Sequence, residues 1–198
     1  QIVASTPITI INCPTRREPT TYPVGDPNGT IRTDYAMCGG AAHSEGAIGV
    51  RKDGIWSRRG KAMDHQDITD GTSFTYLVGE KSVNPQSYRT GRGTADGSWP
   101  GAAFDFGGKG LAHRAAFRVP WIDRENGCFE CHDFGSAHRS GWYMCFCDGS
   151  VRRLNYDMDF LVHSALVTPD RGEIHSHFID QELPGHLQKR FKRNGPRK

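Results

Sequence analysis

Two thiols and an imidazole stand together in Gly127-Cys128-Phe129-Glu130-Cys131-His132, a C-x-x-C-H pattern. At that spacing both sulfurs can add to the vinyl groups of a haem while the adjacent His ligates the iron, as in c-type haem attachment. The same thiolates with His132 and the nearby His138 also form a zinc donor set. The plainer alternative is a loop whose thiols form a strained disulfide or stay free, next to a surface His. Haem would need a second axial ligand or an open site, and Met144 and several histidines are available for it. Phe129, Phe134, Trp121 and Trp142 lie near enough in sequence to supply apolar walls.

Four further cysteines stand at 13, 38, 145 and 147. Cys13 and Cys38 could bridge each other across the first loop. Cys145 and Cys147 share one face of an extended segment about 7 Å apart, too far for a disulfide within a regular strand. They read as buried small hydrophobes, or as partners for Cys13 or Cys38. His138 precedes Asp148-Gly149 by nine intervening residues. An extended chain would hold that His about 33 Å from the Asp, so the two are not a local acid–base pair. His175 and His177, flanked by His163 and His186, have the spacing of a metal pair on one strand face, or of a solvated segment. Asp53, Asp64, Asp67, Asp70, Asp96 and Asp105 are scattered through glycine-containing stretches, but without the spacing of a calcium hand. No P-loop, dinucleotide-binding glycine motif or Ser-His-Asp order appears, so no catalytic residue is assigned.

The elements that must position these groups are mostly extended. Residues 6–12, TPITIIN, read as a buried strand ending at Cys13-Pro14. Residues 33–37 suggest a short strand, and 74–81 a strand in which Phe74, Tyr76 and Val78 alternate with Thr75, Leu77 and Gly79. The best local pattern is 142–156, a hairpin turning at Asp148-Gly149. A two-residue turn there pairs residues whose numbers sum to about 297, placing Trp142 opposite Asn155 and His138 opposite Asp159. Helical spacing is convincing over 158–167, through Phe160, Leu161, Ser164, Ala165 and Leu166, with Pro169 and Gly172 as terminators. Residues 84–112 read as a glycine-rich loop.

Composition agrees with a loop-rich β protein. Of 198 residues, 24 are Gly and 11 are Pro, while only 36% are hydrophobic and mean hydropathy is −0.61. No apolar run reaches the roughly 18–20 residues of a membrane helix. The chain opens at Gln1 without a signal peptide, which suggests a processed precursor or a segment starting partway along. The formal charge of +3 is misleading. Lys189, Arg190, Lys192, Arg193, Arg197 and Lys198 close the chain, and removing those six turns +3 into −3. The tail is a basic arm for an anionic surface, with no aromatic interleaving that would specify nucleic acid.

Three strings in order then carry a resemblance: DITDGTSFTYLVGEK at 67–81, FGSAH at 134–138 and CDGSVR at 147–152. Cys13-Pro14, Arg16-Arg17 and Thr33-Asp34-Tyr35 support it. Together they resemble the planctomycete pseudopilin-like family whose prepilin-type, processing-associated domain has a His, nine residues, then Asp-Gly. Here those residues are His138, Asp148 and Gly149. The resemblance spans about 13–173 and implies an exported, cell-surface subunit: a β-rich head behind a long apolar helix, which is missing from this chain. The expectation is an α+β protein, predominantly antiparallel β. A pilin-like head (1–174) would carry long Gly-rich loops and one short C-terminal helix, followed by a basic tail (175–198). It would act non-enzymatically, with other subunits as partners and a membrane reached only through the missing helix. The alternative is an electron carrier holding haem c at Cys128, Cys131 and His132 on the same scaffold.

Overall fold

The computed structural model describes residues 5–23, 29–40, 64–92, 113–114, 118–125, 133–170 and 172. Within these, nine strands run in chain order: β1 (Thr21–Tyr22), β2 (Thr30–Ile31), β3 (Tyr35–Cys38), β4 (Tyr76–Glu80), β5 (His113–Arg114), β6 (Trp121–Ile122), β7 (Gly135–Ser136), β8 (Trp142–Phe146) and β9 (Val151–Leu154). A short helix, α1 (Phe160–Leu166), follows. The main sheet has five strands in the order β5-β3-β4-β8-β9, antiparallel except for the β3–β5 pair. Two small ribbons, β1–β2 and β6–β7, flank it. The expected fold class, α+β with antiparallel β dominant, is what the described residues form, with the short helix α1 toward their C-terminal end.

The core lies between the central strands and α1. Alternation on β8 places Trp142, Met144 and Phe146 inward and leaves Tyr143 exposed. Tyr76 of β4 is its hub, with ring centroids of Phe146 at 5.2 Å, Trp142 at 5.7 Å, His163 at 5.6 Å and Phe134 at 6.3 Å. Most of these meetings are edge-to-face, the arrangement ring quadrupoles favour, while Phe134 and Trp142 stack at 5.6 Å. Gly79 lets Met144 lie flat across β4, because a Cβ there would stand 2.4 Å from Met144 Cε.

Several local expectations shift. Residues 6–12 do not form a buried strand: Thr9–Ile11 make a 3-10 turn with Ile10 83% exposed, and burial begins only at Asn12. The strand expected from 74 starts at Tyr76, because Thr72–Phe74 coil into another 3-10 turn. Its alternation is then broken by a register shift between Tyr76 and Val78. The hairpin forms, but around three residues. Gly149 N–H donates to Phe146 O, Phe146 N–H donates to Ser150 O, and Gly149 takes φ +80°. That is a type I turn closed by a left-handed glycine. It moves the pairing by one: Trp142 faces Leu154 and Cys145 faces Val151.

The helix also presents a different face from the one its apolar spacing suggests. Phe160 and Leu161 are exposed, while His163, Ala165 and Leu166 are buried. Asp159 fixes its start by accepting from Leu161 N–H at 2.6 Å.

Candidate functional site

The segment before β1 makes a tight turn in which Arg16 and Arg17 N–H both donate to Cys13 O. The turn sends both guanidinium groups inward. Arg16 meets Asp123 at 2.7 Å and Asp34 at 3.2 Å, and donates to Lys81 O at 2.9 Å. Arg17 meets the same Asp34 oxygen, Oδ1, at 2.5 Å. Asp34 also accepts from Cys13 N–H at 2.8 Å and from the Asn12 amide. Burial alone would raise the Asp34 carboxyl, but the two arginines and the Cys13 N–H outweigh it and hold it below the ordinary range. Asp123 is tied in further by Val83 N–H at 2.9 Å and the Tyr88 hydroxyl at 2.5 Å. Arg16, Arg17, Tyr22, Pro85 and Tyr88 line an adjoining groove of about 650 Å³.

At one end of this network three side chains converge. Glu80 ends β4, His138 follows β7, and Cys13 opens the turn. Cys13 Sγ lies 3.6 Å from His138 Nε2, and Glu80 Oε1 lies 3.3 Å from the same nitrogen. All three donor atoms fall within 4.8 Å of one another. Cys13 and Glu80 are buried, while the His138 side chain is 29% exposed. Burial pushes the Cys13 thiol up. Glu80 Oε2 accepts from Tyr143 N–H at 2.7 Å, which aims the other oxygen at His138. His138 is held by its backbone: its N–H donates to Ser136 Oγ at 3.2 Å, and its carbonyl accepts from the Tyr156 hydroxyl at 2.8 Å.

Sequence reasoning found His138, Asp148 and Gly149 but mispaired them. The expected contact of His138 with Asp159 is not made: the hairpin register is shifted, and Asp159 caps α1 while His138 turns to Glu80 and Cys13. Asp148 instead organises its own turn, accepting from Ser150 N–H at 2.9 Å and Ser150 Oγ at 2.6 Å and pairing with Arg152 at 3.4 Å. A Cys13–Cys38 bridge, one of the pairings the sequence allowed, is not formed. Both are free thiols, with Cys38 Sγ against Val167 O at 3.7 Å, and burial raises the Cys38 thiol to about 12. Cys145 and Cys147 do not share a strand face, because β8 ends at Phe146 and Cys147 opens the turn. Both are free.

Cys128, Cys131 and His132 lie outside the described residues, as do His175, His177, His186 and the basic tail. His163 belongs to the core and not to a surface metal pair. Glu80 as a partner of His138 was missed, although both sit in the strings singled out above, 67–81 and 134–138. Their meeting ties together two strings that lie far apart in sequence.

Two other residues of those strings have packing tasks. A Cβ on Gly135 would stand 2.3 Å from Trp121 O, so only glycine lets β7 lie against β6. Phe134 is fully buried in the aromatic core. Among the described residues, no helix is long and apolar enough to cross a membrane. No curated protein and no solved structure matches the chain. A family model does match residues 2–161: SBP_bac_10, described as a protein of unknown function (DUF1559).

Proposed function

From the premise that the chain belongs to the DUF1559 family, a family of bacterial, often planctomycete, pseudopilin-like proteins, we propose that it is the β-rich head of a subunit in an exported, cell-surface pilin-like assembly. The observation that carries this reading is the family match over 2–161, which takes in the whole described sheet and the start of α1. Its work is structural and not catalytic. Supporting this, His138 docks a loop onto β4, and Asp148-Gly149 close a hairpin. We read these residues as the His-(nine residues)-Asp-Gly motif of a prepilin-type domain.

Partners would be other subunits of the same or a related assembly. Tyr143 and Val151, exposed on β8 and β9, and Phe160 and Leu161 on α1 offer apolar contact area. Lys189, Arg190, Lys192, Arg193, Arg197 and Lys198 would serve an anionic surface. The haem alternative rests on the pattern of Cys128, Cys131 and His132 alone, and a visible spectrum without a Soret band removes it.

The test is to label intact producing cells with an antibody against this chain and image the native material by electron microscopy. Surface labelling on filaments or other multi-subunit assemblies is expected. Labelling only after cell lysis, with the native protein strictly monomeric, would overturn the reading.

A further inference from the structure

We propose that Cys13, Glu80 and His138 form a zinc-binding site with a fourth, solvent-facing position for water. The site is independent of the assembly reading above.

The first argument is geometric. Zinc bond lengths of about 2.3 Å to sulfur and about 2.0–2.1 Å to nitrogen or oxygen imply tetrahedral edges of about 3.5 Å for sulfur–nitrogen and about 3.3 Å for nitrogen–oxygen. The observed separations are 3.6 Å for Cys13 Sγ to His138 Nε2 and 3.3 Å for His138 Nε2 to Glu80 Oε1.

The second argument is satisfaction. Cys13 and Glu80 point at the same imidazole nitrogen, which carries at most one proton and cannot serve both fully. Glu80 is only 2% exposed, and a buried carboxylate requires a partner. One cation between the three donors satisfies all of them. Arg16, the basic group whose charge acts on Cys13, is already matched by Asp34 and Asp123 and so adds little unbalanced repulsion.

The third argument is support. Metal ligands are normally oriented by outer partners. Here Tyr143 N–H holds Glu80, Ser136 and Tyr156 hold the backbone of His138, and Asp34 accepts from the N–H of Cys13. The donors come from three separate stretches of chain, yet each is fixed before any ion arrives. A thiolate, an imidazole and a carboxylate suit zinc better than calcium or magnesium, which take oxygen. The exposed edge of His138 gives an entry path and leaves the fourth position to solvent, so this is a three-ligand site of the open kind.

The experiment uses the full chain carrying Cys128→Ser and Cys131→Ser, so that the C-x-x-C-H segment cannot contribute a thiolate. The protein is stripped with a chelator. Zinc is titrated in competition with a chromophoric chelator, and cobalt(II) is then substituted as a spectroscopic probe. One tightly bound zinc is expected, with tetrahedral cobalt bands and a thiolate-to-cobalt charge-transfer band.

Cys13→Ser should abolish the charge-transfer band. Cys13→Ser, Glu80→Gln and His138→Gln should each weaken zinc binding by at least the roughly 10–100-fold that loss of an outer partner costs. Circular dichroism identifies any variant that does not fold, and the remaining two then decide. A folded parent that binds no zinc, a cobalt spectrum without the thiolate band, or affinity unchanged in folded variants would overturn the proposal.

Discussion

His163 occupies a position that hydrocarbon would fill as well. It is fully buried among the rings of Tyr76, Phe134 and Trp142, and neither ring nitrogen makes a hydrogen bond among the described residues. Burial lowers its pKa to about 3, against 6.5 for an exposed imidazole. The unfolded chain therefore takes up a proton as pH falls through 6.5, and the folded chain does not until about pH 3. Stability should fall across that window by up to about 1.4 kcal/mol per pH unit. In urea titrations at several pH values, His163→Leu should lose that slope, with its stability at pH 7 unchanged or raised. A slope retained in the variant would show that other groups cause it. The sequence indicated a helix here but not this residue's place. The apolar spacing pointed Phe160 and Leu161 inward, yet the Asp159 cap and the aromatic cage set the rotation.

At the level of elements, the β8–β9 hairpin shows what one residue of turn geometry decides. Asp148-Gly149 was legible as a turn, but a dipeptide does not say whether the loop holds two residues or three. The third loop residue, Cys147, is fixed by a contact outside the hairpin, its N–H donating to Thr75 O. Two glycines of this region differ in kind. Gly149 has φ +80°, and a Cβ added there would meet nothing within 4 Å, so Gly149→Ala should cost only backbone strain, about 1–2 kcal/mol. Gly141 has φ +145° and would place its Cβ 2.3 Å from Leu154 O, so Gly141→Ala should cost clearly more, about 3 kcal/mol or above. Equal midpoint shifts in urea would sink the close-approach argument. Residues 6–12 misled for a related reason. Their β-branched run has strand propensity, but no neighbouring strand pairs with it among the described residues, and propensity without a partner does not make a strand.

Over the whole molecule, the strands at 35–38, 76–80, 142–146 and 151–154 were legible because each is near a run of alternating or β-branched side chains. The two-residue strands were not, since they are held by contacts between distant residues such as Arg16 with Asp123 and Trp121 with Ser82. The Arg16–Arg17–Asp34 cluster dominates those contacts. Asp34→Asn should destabilise the fold by about 3–5 kcal/mol, because two buried guanidinium groups lose a charge partner. Since the folded carboxyl is held below its ordinary range, its stabilisation is present above about pH 3.9 and is lost as pH falls through the lower folded value. Denaturation curves should therefore show the variant's deficit narrowing as pH falls below about 3.9, at the acid end of the window governed by His163. The cluster also sets a path for mechanical load. Tension arriving from the Gln1 side reaches the sheet first at Asn12–Arg17, where ion pairs and hydrogen bonds to Asp34, Asp123 and Lys81 stand in for a strand ladder. A subunit anchored from that side would yield at a charged clasp before its β-strands were sheared, making its rupture force sensitive to acid.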